Sequence, residues 1–400
     1  AACRRALELN PRLAQGWSTL GVVLQDGGRT GEALDAHQRA LSLDPANPAI
    51  PRNLGVALRD AGRYEEARDA YRRALALAPS YADAHINYAM LSLALGEYDE
   101  GWRSYRYRPA RVQAVAAREK LAAGLPAEVG GRTILLLGEQ GIGDELFFLR
   151  FAPSLKERGA RLGCQCDRKI GTLLARTGIF DVVCDHEEAR PPAQLEVLVG
   201  DLPLAPRRSG PLVAPLRLGA LDARVEAMRR RLAGLGPAPY LGLTWRAGTP
   251  LSEQRRVRDR SLYKEIPLEL LARAVADFPG TILVLQRHPR AQEPGRLQQA
   301  LGRAVHDVSP ANEDLEDMLA LLSLVDEYVG VSNTNMHLMA GLGRSARVLV
   351  PHPPEWRWMA RGDASPWFPG FPVYRQQGGD WADALARLAG DLRRSLASRP

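Results

Sequence analysis

Lysine is nearly absent from this chain: only four of its 53 basic residues are Lys, and the arginines that make up the rest are spread along its whole length. The formal net charge of +7 is therefore not gathered into a Lys/Arg-dense block with interleaved aromatics. It reads as a bias of composition, and nucleic-acid binding is not expected. Cysteine is scarce as well. Cys3, Cys164, Cys166 and Cys184 are too few for a disulfide scaffold, and Cys164-Gln165-Cys166 lacks the second pair that a metal site needs. Buried thiols in a reducing cytosol, and no metal, are the expectation. No apolar run approaches the roughly 20 residues that span a bilayer. The chain opens on Ala1, inside an amphipathic helical pattern and not in a signal peptide, which predicts an array that begins upstream and a cytoplasmic location. With 46% hydrophobic and 25% charged residues, no segment reads as disordered, and 400 residues suffice for two or three domains.

What is present first is a repeat. Pro11, Pro45 and Pro79 recur at a period of 34, as do Gly21 and Gly55; Gly28, Gly62 and Gly96; Ala33 and Ala67; and Ala6, Ala40 and Ala74. Trp17, Leu20, Gly21, Gly28, Ala33, Ala40 and Pro45 resemble the tetratricopeptide signature, in which small residues let the two helices of a unit approach and a proline ends the second. A second unit keeps Leu54, Gly55, Gly62, Tyr64, Ala67, Tyr71, Ala74 and Pro79. A third decays through Ala89, Gly96, Tyr98, Gly101 and Tyr105. Such arrays present a curved surface for a peptide or another domain, or serve as a structural extension.

After an Ala/Arg-rich connection the pattern changes to apolar runs separated by glycine turns and helices, the mark of parallel sheets. Strands are expected at Thr133–Leu137, Leu162–Cys166, Asp181–Cys184 and Leu195–Val199, with a helix at Leu146–Arg158. A Pro-rich stretch, Pro203 to Pro215, and a charged helix, Leu221–Leu235, lead to a second set of strands at Tyr240–Thr244, Thr281–Leu285, Glu327–Val331 and Arg347–Val350. Helices are expected at 267–277, 313–324, 335–342 and 380–398. The predicted organisation is helical repeats over 1–113, a linker over 114–131, Rossmann-like domains over 132–237 and 238–378, and a closing helix over 379–400.

Ligands of such sheets sit at the C-terminal ends of the strands, so the turns there are the candidates. Glu139, Gln140, Gly141 and Gly143 form a glycine-permissive first turn. Its spacing is not GxGxxG, and the next strand carries no terminal acid, which disfavours a dehydrogenase. Asp144, at a helix start, suits a general base taking the proton of an acceptor hydroxyl, or simply an N-cap. Arg246, Arg255, Arg256, Arg258 and Arg260 place five arginines in fifteen residues, which suit a diphosphate by their guanidinium forks or form a solvated charge run. Ser332, Asn333, Thr334 and Asn335 open a helix and suit either an anion site or capping, and His337 inside it has a minor part. Gln286, ending a strand, joins the candidate nucleotide-binding set. Trp356, Trp358 and Trp367 suit stacking on a sugar or base, or a packed Pro/Trp loop.

On these residues the stretch from about 133 to 376 resembles the ADP-heptose-type heptosyltransferase superfamily of GT-B glycosyltransferases, in the bacterial branch preceded by tetratricopeptide repeats. The resemblance lies in Gly96–Tyr105, in Glu139–Glu145, in Asp314-Leu-Glu-Asp317-Met318 with Asp326 and Ser332-Asn333-Thr334, and in Trp356–Trp358 with Ser365–Pro369. It implies an α plus α/β fold, repeats followed by a GT-B pair. It also implies metal-independent transfer from a nucleotide-diphosphate sugar without a cofactor, Asp144 as base, a diphosphate on Ser332, Asn333 and Thr334, and a basic residue at Arg246 or Arg260. Where the family has Asp-Thr-Gly, this chain has Ser332-Asn333-Thr334. A protein acceptor docked on the repeats, as in O-linked N-acetylglucosamine transferase, is the expected target. A lipopolysaccharide-core sugar acceptor and an inactive protein-binding scaffold are the other readings.

Overall fold

The computed structural model describes residues 2–117, 121–122, 124–204, 213–248 and 264–397. They form two compact units. One holds the chain up to 118 together with residues 355–361, and the other holds 119–354 and 362–400. Residues 355–361 fall in sequence within the predicted 238–378 domain, yet they group with the helical unit.

The helical unit contains α1 (Ala2–Leu9), α2 (Ala14–Asp26), α3 (Thr30–Leu43), α4 (Ala49–Asp60), α5 (Tyr64–Leu77), α6 (Ala82–Leu95), α7 (Tyr98–Tyr105) and α8 (Pro109–Ala117). The pairs α2/α3, α4/α5 and α6/α7 are the three repeats. Each turn inside a pair needs a left-handed residue, and Gly28, Gly62 and Gly96 supply it with φ of +73°, +74° and +85°. The close approach within a pair explains the other glycine: a Cβ on Gly21 would lie 2.5 Å from the His37 ring, and one on Gly55 2.5 Å from the Tyr71 ring. Ala33, Ala40, Ala67 and Ala74 are wholly buried where the helices meet.

Residues 355–361 complete this unit's core. Trp356 meets Trp102 edge to face, with ring centroids 5.3 Å apart, and the Ala360 N–H donates to the Ala94 carbonyl at 2.7 Å. Glu355 and Arg357 form a buried ion pair of 2.5 Å, and the guanidinium lies over the Trp356 ring. Trp358 is wholly buried. These tryptophans are packing residues, the second of the two sequence readings.

The second unit begins with β1 (Thr133–Leu137), α9 (Ile142–Leu149), α10 (Ala152–Glu157), β2 (Arg161–Cys166), α11 (Arg168–Ala175), β3 (Val182–Asp185) and β4 (Leu195–Leu198). Its four strands form a parallel sheet in the order β3-β2-β1-β4. The helix expected from Leu146 starts four residues earlier and is broken at 150–151, so Asp144 lies in its first turn.

The other half contains α12 (Asp222–Ala233), β5 (Tyr240–Thr244), β6 (Arg246–Ala247), β7 (Lys264–Glu265), α13 (Leu268–Val275), β8 (Thr281–Val284), α14 (Glu293–Leu301), β9 (His306–Asp307), α15 (Leu315–Leu324), β10 (Glu327–Val331), α16 (Thr334–Gly341), β11 (Arg347–Val350), β12 (Val373–Arg375) and α17 (Ala382–Ala397). Six strands form a parallel sheet in the order β12-β11-β10-β5-β8-β9, and β6 and β7 pair as a short antiparallel ladder. The central strands are buried on both faces, which is why they read as unbroken apolar runs. At Gly330 a side chain would run into Thr244 Oγ1 and approach its carbonyl oxygen to 2.8 Å, so β10 and β5 can lie this close only with glycine there. The fold is thus helical repeats followed by two Rossmann-like halves.

Candidate functional site

The C-terminal ends of β1 and β10 each release the chain into a turn and then a helix, α9 and α16. The two helix starts meet: a Cβ on Gly143 would lie 3.4 Å from His337 Nε2 and 3.8 Å from the Thr334 Cα. Each start carries the positive end of a helix dipole. The two starts lie side by side at the strand ends.

On the α9 side, Gly141 is extended and exposed, and Gln140 adopts a left-handed φ of 69°. Glu139 is buried, and its Oε1 accepts the Gly200 N–H at 2.9 Å, tying the turn to the end of β4. Asp144 is half-buried in the first helical turn. Glu145 beside it is buried and holds the Asp167 N–H at 3.0 Å. The second strand ends at Cys166, as expected, and Asp167 follows it. Its carboxylate caps α11 by accepting the Lys169 N–H at 2.8 Å.

On the α16 side, Asn333 is the N-cap and accepts the Asn335 N–H at 2.8 Å. Its amide nitrogen donates to Thr244 Oγ1 at 2.9 Å, to the Tyr328 hydroxyl at 3.0 Å and to the Val331 carbonyl at 2.9 Å. Thr244 and Tyr328 are themselves linked at 2.9 Å, and burial pushes the Tyr328 phenol up. This net fixes the angle at which α16 leaves the sheet, leaving Thr334 half-buried at the helix start. Ser332 and Asn335 are buried, and His337 is packed edge-on against Phe147 and Phe368. In this place His337 fills space between the two halves.

Two candidates are held by their own surroundings. Arg246 pairs with buried Glu293 and donates to the His288 carbonyl at 3.0 Å. Gln286 accepts the Trp245 and Arg246 N–H groups at 3.0 and 2.9 Å and donates to the Arg246 and Arg287 carbonyls at 3.0 Å, clamping the end of β5. Arg255, Arg256, Arg258 and Arg260 lie outside the described residues.

The sequence reading passed over Lys264. Its ammonium donates to the Ser332 carbonyl at 3.3 Å, which places a cation at the start of α16. The signal was its rarity: it is the only Lys of the second half in an arginine-rich chain. Across the halves, Glu316 of α15 accepts Arg176 Nη1 and Nη2 at 2.5 and 2.7 Å and the Thr172 hydroxyl at 2.7 Å. Lys169 reaches Glu313 at 3.0 Å. Among the described residues, no group of three His, Cys, Asp or Glu side chains is arranged to hold a metal ion, and no helix is long and apolar enough to cross a membrane.

Comparison with known proteins follows this division. Family models described as tetratricopeptide repeat and TPR repeat match residues 24–70 and 55–96. Protein FlbA of Caulobacter vibrioides is 27% identical over 297 residues, 68% of this chain, which spans about half (48%) of that protein's length. A glycosyl transferase family 9 structure from Veillonella parvula is 11% identical, covering 68% of this chain and 99% of its own, with a TM-score of 0.48. A mutant of the Thermobaculum terrenum O-GlcNAc transferase is 18% identical, covering 99% of this chain and 89% of its own, with a TM-score of 0.34.

Proposed function

We propose that the second unit is a glycosyltransferase that moves a sugar from a nucleotide-diphosphate donor to a hydroxyl, and that the repeats hold the protein that bears it. The observation that carries this reading is the meeting of the α9 and α16 starts at the strand ends of two facing Rossmann-like halves. A departing diphosphate gathers negative charge, and preorganised amides and cations stabilise that charge best where it develops. Ser332, Asn333, Thr334 and Asn335 lie at the start of α16, and Lys264 adds a cation there; Arg260, which lies outside the described residues, is the further basic residue that the sequence resemblance implies. Transfer on this reading is metal-independent. Asp144, half-buried in the first turn of α9, is the carboxylate that holds the acceptor hydroxyl and takes up its proton.

The test is a thermal-shift titration with ADP, GDP, UDP and CDP in the presence of chelator, on the wild type and on Lys264→Ala and Arg260→Ala. One nucleotide should raise the melting temperature, with less effect in both variants. If none does, the donor site is refuted, and the repeats become the working part of a binding scaffold, the reading that Ser332 in place of an aspartate favours. With an active donor, transfer that survives Asp144→Ala undiminished would refute the base.

A further inference from the structure

Glu145 occupies a position no simple cap explains. Its side chain is 3% exposed, and its carboxylate meets the first residue after each of three strands. Gly138 follows β1, and a Cβ there would lie 2.5 Å from Glu145 Oε1, so glycine makes the room the carboxyl occupies. Asp167 follows β2 and donates its N–H to Oε2 at 3.0 Å. His186 follows β3, and its Nε2 lies 3.3 Å from Oε1.

A buried carboxylate is costly unless hydrogen bonds satisfy it, and an N-cap or a solvent-facing Glu would avoid that cost. Here burial pushes the carboxyl above its usual range, while the Asp167 N–H and the His186 ring pull it back down in part. What the arrangement produces is an oriented imidazole. The His186 side chain is 47% exposed at the C-terminal edge of the sheet, the edge that also carries Asp144. With Nε2–H directed at Glu145, Nδ1 becomes the basic nitrogen. This is the base-and-orienter pairing that activates weak nucleophiles in many unrelated folds.

This inference rests on the transferase reading above. We propose that His186, aimed by Glu145, is a second acid–base group of the acceptor crevice and receives the proton of the attacking hydroxyl. In that step the acceptor O–H bond breaks as its oxygen forms a bond to the anomeric carbon. The bond from that carbon to the diphosphate oxygen breaks, and its electron pair leaves with the diphosphate. Asp144 takes up the proton of the hydroxyl and passes it on to His186 Nδ1. Glu145 is a positioning residue and touches no substrate. The other ionisable groups around the pair are Asp167 and Cys164 beside Glu145, with Asp185, Glu187 and Glu188 in the loop that carries His186.

The test uses the full chain as wild type, His186→Ala, Glu145→Gln and Asp144→Asn. Nucleoside-diphosphate release from UDP-N-acetylglucosamine, GDP-mannose and ADP-glucose is followed from pH 5 to 9, alongside thermal shifts with the matching nucleotides and ring nitrogen NMR of the histidines. His186→Ala should lower release at least tenfold and remove the acid limb of the pH profile, with nucleotide binding unchanged. Glu145→Gln should lower it severalfold and displace that limb, and the Nε2–H tautomer of His186 should lose its preference. Wild-type rates and an unaltered limb in both variants would overturn the inference alone. If a nucleotide binds but none of the three sugars turns over, a His186 ring in the Nδ1–H form, or one indifferent to Glu145→Gln, overturns it. Absence of binding by every nucleotide would instead sink the transferase reading, and this inference with it.

Discussion

His37 should make the first repeat acid-labile. The ring is wholly buried against Gly21, with neither nitrogen partnered among the described residues, and burial lowers its pKa from 6.5 to about 4. The folded repeat therefore holds the neutral imidazole, while the unfolded chain takes up a proton as pH falls below 6.5. The stability this gives is complete above pH 6.5, drains away as pH falls, and is exhausted near pH 4. The whole gap corresponds to about 3 kcal/mol, of which about 2 kcal/mol is lost by pH 5. The control is His37→Phe, since Tyr71 fills the equivalent place in the next repeat against Gly55 at the same 2.5 Å distance. Hydrogen-exchange mass spectrometry of the 14–43 segment in both proteins, at pH 7 and pH 5, cancels the titration of every other group. Protection in the wild type should fall by an additional factor of about 30 at pH 5, the equivalent of about 2 kcal/mol. Parallel profiles would refute the argument, because His37 would then titrate alike in the folded and unfolded chains.

Two further outcomes concern the second unit. Gly330→Ala drives a methyl into Thr244 between two central strands, so it should cost about 3 kcal/mol or more; a melting temperature within two or three degrees of wild type would refute the close approach. At the junction of the halves, burial raises the Glu316 carboxyl, but the hydrogen bonds from Arg176 and Thr172 outweigh it and hold the group below its usual range. Its contribution is present at neutral pH and is lost as pH falls through that lowered value. Arg176→Ala should therefore cost about 1 kcal/mol at pH 7 and less at pH 3.5, read as chemical denaturation of the two proteins at each pH.

The repeats were legible because their signals are local. A left-handed turn every 34 residues and a small residue opposite an aromatic are properties of single positions. The longer central strands were legible as apolar runs. The two-residue β9 and the three-residue β12 were not, being shorter than any pattern that could mark them. The site divides the same way. Asp144 and Ser332–Asn335 were candidates because they follow buried strands, which position along the chain reveals. Arg246 looked like a phosphate ligand because nothing near it in sequence shows Glu293, 47 residues on, closing over it. Glu145 was hidden for the converse reason, since its meaning lies in three strand ends that become neighbours only when the sheet is built.

The return of residues 355–361 to the helical unit makes that unit discontinuous along the chain. A fragment ending at 118 would lack a seven-residue segment of its own unit, five residues of it buried, and would expose the face of Trp102 that Trp356 covers. Deleting 1–118 would leave Trp356 and Trp358 without a host. Dissection by a single cut thus yields two damaged pieces, whereas proteolytic nicking near 118–120 should leave two fragments that copurify until denatured. Variation in this loop would then be constrained by the repeats and not by the sheet that flanks it.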